Sequence, residues 1–231
     1  MHGAAVKILF IMLGCALLAS CKTLPGPIET TPDGLQRMPS RADGGVFRAP
    51  GVPFSQYKRL IIEPLTIAFV KGWEERHPDI SARETKRLRD EATRDFRKEF
   101  VDVLIDEGPY TFADEPAPDV LMISPTVVDL DIPAPEADLT DRRTLTPRSV
   151  GLRIVGELRD AATGKLVGRI DRISGGELYG VGSAQLRPAN RLTNAHEMRR
   201  AYGEWCRLLR EALDVAKVER PRPAPAPAPP T

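Results

Sequence analysis

The chain has 231 residues, 42% hydrophobic and 28% charged, with 33 basic side chains against 32 acidic ones and a formal net charge of +1. That balance excludes the strong positive field that draws a protein to nucleic acid. The hydrophobic share excludes wholesale disorder, aromatics at 6% leave little surface for stacking on sugars, and three cysteines are too few for a disulfide-built scaffold.

The N-terminus carries the sharpest signal. Lys7 supplies one firm positive charge, and Ile8 to Ala19 is an apolar run of 12 residues. A bilayer-spanning helix needs about 20, so the run reads as the core of a signal peptide rather than a permanent span. It ends in Leu18-Ala19-Ser20-Cys21, which matches the bacterial lipobox. The chemistry needs a thiol: the Cys21 sulfur takes a diacylglycerol, and the amine freed by cleavage takes an N-acyl chain. Residues 1–20 are therefore expected to be removed and Cys21 to be the lipid attachment site. The competing reading is an ordinary signal peptide cut elsewhere, with Cys21 left as a free thiol. Each buried acyl methylene contributes about 0.8 kcal/mol, so several chains on one residue anchor firmly. The next residue is Lys22 rather than aspartate, which points to the outer membrane with the protein facing the periplasm. Without Lys7, 32 basic residues face 32 acidic ones.

Residues 21–52 read as a lipidated flexible tether, with prolines at 25, 27, 32, 39 and 50, glycines at 26, 34, 44, 45 and 51, and no hydrophobic period. A globular domain is expected over 53–218. Its first strand is Tyr57 to Phe69, where Pro64 marks a bulge, an edge or an end. Trp73 to Ile80 reads as a polar loop. Ser81-Ala82-Arg83-Glu84 is a capping box, and Leu88, Ala92, Phe96, Phe100, Val103 and Leu104 form one apolar stripe of the helix it opens. Gly108-Pro109 ends that helix. Val120 to Ile132 reads as a second strand interrupted by Pro125, and residues 133–147 as a polar loop. A hairpin follows, turning at Asp160-Ala161-Ala162-Thr163-Gly164. Residues 175–192 look irregular. The last helix runs from about Asn194 to Val218 on a stripe of Met198, Tyr202, Trp205, Leu209, Ala212, Leu213 and Ala216. Residues 219–231 form a Pro/Ala-rich tail. The order β-α-β-β-β-α predicts an α+β fold, a two-layer α/β sandwich with a mixed sheet and both helices packed on one face.

Three segments carry a family resemblance: Tyr57-Lys58-Arg59-Leu60-Ile61-Ile62-Glu63-Pro64, the turn from Leu158 to Leu166, and Trp205-Cys206-Arg207-Leu208-Leu209-Arg210-Glu211-Ala212-Leu213. Over roughly residues 50–215 the chain resembles an uncharacterised bacterial lipoprotein family, domain of unknown function 3313. That family has no assigned activity, so the resemblance implies no functional residues. The element order is also similar to the small α/β domains of the curli-assembly lipoprotein, the Tol-system propeller protein and lipoprotein activators of penicillin-binding proteins. What this implies is a protein-binding or assembly role at the envelope, with an envelope protein as partner.

Catalytic chemistry is hard to find. His77 lies among Glu74, Glu75 and Asp79, but hard-cation sites need more ligands in a defined loop. His196 and Cys206 stand about 15 Å apart along one helix, too far for a thiol–imidazole pair. Cys206, beside Trp205 in a helical pattern, is expected to be buried. Gly180-Val181-Gly182-Ser183 lacks the spacing and the Lys-Ser/Thr pair of a phosphate loop. Asp129 and Asp131 alternate on a strand and should face the same side, without the opposed partner a glycosidase requires. The mixed charges of the first helix read as a solvated face. The expectation is a non-enzymatic lipoprotein with no catalytic residue, cofactor or metal, held at the membrane by its anchor. The alternative is a periplasmic hydrolase or small-ligand-binding lipoprotein, which would need a concave pocket.

Overall fold

The computed structural model describes residues 29–40, 44–133, 145–146, 150–175 and 187–218. Cys21, the Gly180–Ser183 segment and the proline tail lie outside the described residues. The elements run β1 (Gln36–Met38), β2 (Gly44–Arg48), β3 (Arg59–Ile62), β4 (Thr66–Phe69), α1 (Trp73–Arg76), α2 (Ala82–Phe100), β5 (Thr111–Phe112), β6 (Val120–Asp131), β7 (Leu145–Thr146), β8 (Gly151–Asp160), β9 (Leu166–Ser174), β10 (Arg187–Pro188) and α3 (Arg191–Val218).

The main sheet is mixed, in the order β1-β2-β9-β8-β6-β3-β5, with β4 continuing the line of β3 alongside β6. Strands β3 and β4 run parallel to β6, whereas β8 is antiparallel to it, as are β9 to β8 and β2 to β9. The expected α+β architecture, with helices on one face of a mixed sheet, is what the chain adopts. Leu121, Ile123 and Val127 of β6 and Ile154 and Leu158 of β8 point to that face and are buried with the stripes of α2 and α3. Phe96 of α2 meets Tyr202 edge-on at 5.5 Å and Trp205 at 5.7 Å, contacts that add to the burial of the rings.

The prolines act where they stand. Ile123 accepts the Glu63 amide across the β3–β6 seam. Two residues on, the Pro125 nitrogen faces the same side, where Glu63-Pro64-Leu65 separates β3 from β4. The missing donor thus meets a gap in the neighbour, and β6 continues through Pro125 instead of being interrupted there. Ser81 caps α2 by accepting the Glu84 amide at 3.2 Å, the first half of the capping box. The Glu84 carboxylate instead pairs with Arg87 and Arg191. Beyond Phe100 the chain widens into a π-helical segment, Val101–Asp106, closed by a bond from the Glu107 amide to the Asp102 carbonyl.

Four expectations need correction. Much of the stretch expected to be tether is folded: β1 and β2 pair in the sheet, Leu35 is buried, and Asp33 forms an ion pair with Arg169. Strands of three and five residues, set among Pro and Gly, show no period to read. The loop at Trp73–Ile80 opens with α1, and Trp73 is buried, stacked on Phe69 at 4.3 Å and donating its Nε1–H to the Ile132 carbonyl at 3.3 Å. Asp129 and Asp131 do not share a side. The register slips between Val128 and Asp131, Asp129 takes φ +53° and is exposed, and Asp131 is buried against Arg76 at 3.0 Å. A bulge therefore breaks the alternation that sequence spacing assumes. Lastly, Arg187–Pro188 pairs with Leu145–Thr146, so the segment read as a polar loop and the one read as irregular meet in a short ribbon.

Candidate functional site

A groove of about 970 Å³ lies between the C-terminal half of α3 and the β1–β2 side of the sheet. Its origin is a mismatch of widths. Seven strands at about 4.8 Å spacing make a floor about 29 Å wide, while two helices of about 10 Å diameter roof about 20 Å of it. The order of the sheet puts the bare strip over β1 and β2. Met38, Val46 and Ile170 stand in register across β1, β2 and β9 and form the floor. Leu208, Ala212 and Val215 form the wall on α3, with Val215 48% exposed. The spacing from Glu204 to Val215 runs about 17 Å along the helix.

Charge is confined to the ends and the upper rim. At one end the buried Arg48 guanidinium lies over the Phe54 ring at 5.8 Å, an arrangement that suits a desolvated cation. At the other, Arg172 of β9 reaches up to Glu204 of α3 at 2.6 Å, and Glu204 also lies 4.0 Å from Arg200. The Arg172 Nε is buried without a hydrogen-bond partner among the described residues. Arg207 and Glu211 are exposed along the upper edge of the wall.

The residues singled out in the sequence do not converge on this groove. His77 packs its ring 4.9 Å from Trp73 beside α1. His196 is exposed in the first turns of α3. Cys206 is buried as expected, and burial pushes its thiol above the ordinary range, which keeps it protonated and inert. No group of three His, Cys, Asp or Glu able to hold a metal ion occurs among the described residues, and none of the described helices is long and apolar enough to cross a membrane. The groove residues carried only one visible signal in the sequence. Leu208 and Val215 are apolar positions off the main stripe of α3, widening it beyond what one sheet contact needs.

The backbone arrangement is similar to several solved structures. A PelC dodecamer from Paraburkholderia phytofirmans shares 11% identity at a TM-score of 0.33, covering 73% of this chain and 98% of that one. A protein assigned as a lipoprotein from Caulobacter crescentus CB15 shares 15% at 0.32, covering 71% and 90%. A protein assigned as a homologue of neuraminyllactose-binding hemagglutinin from Helicobacter pylori shares 12% at 0.35, covering 74% and 92%. No curated protein matches the sequence. The match that assigns the chain is to a family model spanning residues 30–209, nearly the whole described domain and starting well inside the segment expected to be a tether, and by it the chain belongs to the family described as Protein of unknown function (DUF3313).

Proposed function

We propose that the chain is a periplasmic lipoprotein, anchored in the outer membrane through acyl chains on Cys21, that binds another envelope protein without catalysing a reaction. The observation that carries the binding part is the unroofed strip: a groove with an aliphatic floor and an aliphatic wall, about one helix wide. Its occupant in this reading is an amphipathic helix of the partner, laid parallel to α3 with its apolar face down. Arg207 and Glu211 on the rim offer one charge of each sign to the polar flank of such a helix. The anchor rests on the lipobox and on the short apolar run before it.

A small-ligand site is the second reading, favoured by the volume of the groove, which falls in the range of ligand pockets. The walls argue for a protein. They contain neither histidine nor cysteine, and their polar groups stand at the rim and ends instead of converging on one point.

The test places a photo-crosslinking residue at Val215 and, as a control, at Arg153 on the opposite face of the sheet. Adducts with one envelope protein from Val215 alone, lost when Ala212→Glu puts a charge in the groove, are the expected outcome. Equal labelling from both positions, or labelling that survives Ala212→Glu, would overturn the reading. Intact mass of the mature protein checks the anchor separately, because Cys21→Ser should remove the acyl mass and release the protein from the membrane fraction.

A further inference from the structure

Along the sequence of α2 the two signs of charge are mixed, but the fold sorts them. Its exposed charged residues are Arg83, Lys86, Arg89, Arg94, Arg97 and Lys98, against the single acid Asp90. The remaining acids of α2 are turned to its flanks, where arginines meet several of them. Arg87 holds Glu84 and Glu91, Arg191 reaches Glu84 at 3.3 Å, and Arg199 lies 4.0 Å from Asp95. On the outward side, Lys86 pairs with Asp90 at 2.7 Å and Lys98 with Asp102 at 2.5 Å. Arg83 and Arg94 have no carboxylate partner among the described residues. Arg89 and Arg97 lie over the rings of Phe69 and Phe112, at 5.2 and 5.8 Å. Ring stacking orients a guanidinium without neutralising it.

We infer that this outward face of α2 is a docking surface for the anionic phospholipid headgroups of a bilayer. Arg83, Lys86, Arg94 and Lys98 run about 22 Å along the outward side of the helix, with Arg89 and Arg97 on its flank against Phe69 and Phe112, and because the helix is the roof of the sandwich this row is convex. A convex row fits a flat charged surface better than an extended acidic chain, which would seek a groove. The choice of a bilayer as occupant rests on the lipid-anchor reading above. From Cys21 to Glu29 the chain can span at most about 28 Å, so an anchored domain stays within reach of the headgroups. Each basic residue brought to such a surface strengthens binding about fivefold.

The test uses the chain without residues 1–21, which removes no described element, and sediments it with vesicles. Binding is expected to vesicles of phosphatidylethanolamine with about a quarter phosphatidylglycerol, and not to pure phosphatidylcholine. It should fall steeply from about 0.05 to 0.3 M salt as screening shortens. Arg83→Glu with Arg94→Glu should weaken it about tenfold or more, with the thermal midpoint unchanged. Equal binding to both vesicle types, no binding to either, or a charge-reversed protein that binds as before would each overturn the proposal. Binding to heparin but to neither vesicle would also overturn it, assigning the row to a polyanionic partner. Because this probe lacks Cys21, a failure here leaves the acylation result standing, and a failure of acylation leaves the vesicle result readable.

Discussion

Gly156 shows how one missing side chain sets the distance between the two layers. It sits in β8 facing the helices, and a Cβ built on it would lie 2.3 Å from Cζ2 and 2.8 Å from Cη2 of Trp205. Trp205 is fully buried and braced by Phe96, so the ring has nowhere to go. Gly156→Ala should therefore cost about 3 kcal/mol through overpacking, read as a lower urea midpoint at unchanged slope. A second residue-level device ties the segment leading into β3 to the hairpin turn. The buried Tyr57 hydroxyl donates to Asp160 at 3.0 Å, and the amide and hydroxyl of Thr163 donate to the same carboxylate. Burial, with Asp160 adding to it, pushes the Tyr57 phenol up from 10.0 to about 12. A raised phenol favours the fold while it stays neutral, so this stabilisation is complete below pH 10 and is lost as pH climbs from 10 towards about 12. Tyr57→Phe should lose about 1.5 kcal/mol at neutral pH and fall less steeply than the parent over that alkaline window, measured by urea unfolding at stepped pH.

At the scale of elements, agreement between pattern and structure follows the length of the element. The stripe of Leu88, Ala92, Phe96 and Phe100 on α2, carried on by Val103 and Leu104 in the π-helical segment, is buried throughout, and α3 buries its stripe apart from the half-buried Ala212. Five or more turns repeat a local period often enough to identify the face. The β8–β9 hairpin was equally legible because Asp160–Gly164 announces its turn: the Gly164 amide donates to the Asp160 carbonyl, with φ +70° at Gly164. Only at the bulge between Leu158 and Arg159 does the pattern fail, where Val167 turns inward beside Gly168. Strands β1 and β2 were not legible, because three and five residues hold too few alternations, β2 opens on two glycines and prolines stand on either side. They nevertheless belong to the domain. A chain starting at residue 53 loses both strands and the buried Leu35, and bares the edge of β9. Relative to a chain starting at residue 29, it should be less stable by about 4 kcal/mol or more and should self-associate through the open edge. Circular dichroism melts and size-exclusion chromatography of the two would show the difference, and equal behaviour would restore the longer tether.

For the molecule as a whole, the candidate groove is a consequence of counting. A sheet seven strands wide under two helices leaves a strip uncovered, and no residue in that strip has a distinctive motif. Met38 and Val46 come from the first two strands and Ile170 from one far along the chain, and they meet Leu208, Ala212 and Val215 only because β2 pairs with β9 and α3 lies beside them. The same holds for the cations of α2: acids alternate with them along the sequence, but in the fold Glu84, Glu91 and Asp95 turn to the flanks while Arg83 and Arg94 stay outward. Both long helices, their buried faces, the hairpin and the mixed two-layer class are legible in the residues alone, because each follows from periodicity or turn chemistry within one segment. Where the domain begins, which side Asp131 faces, which charges of α2 reach solvent and where the sheet is left unroofed become visible only in the folded chain. Those depend on register, bulges and the relative widths of two layers, quantities set by contacts between distant segments and carried by no single one of them.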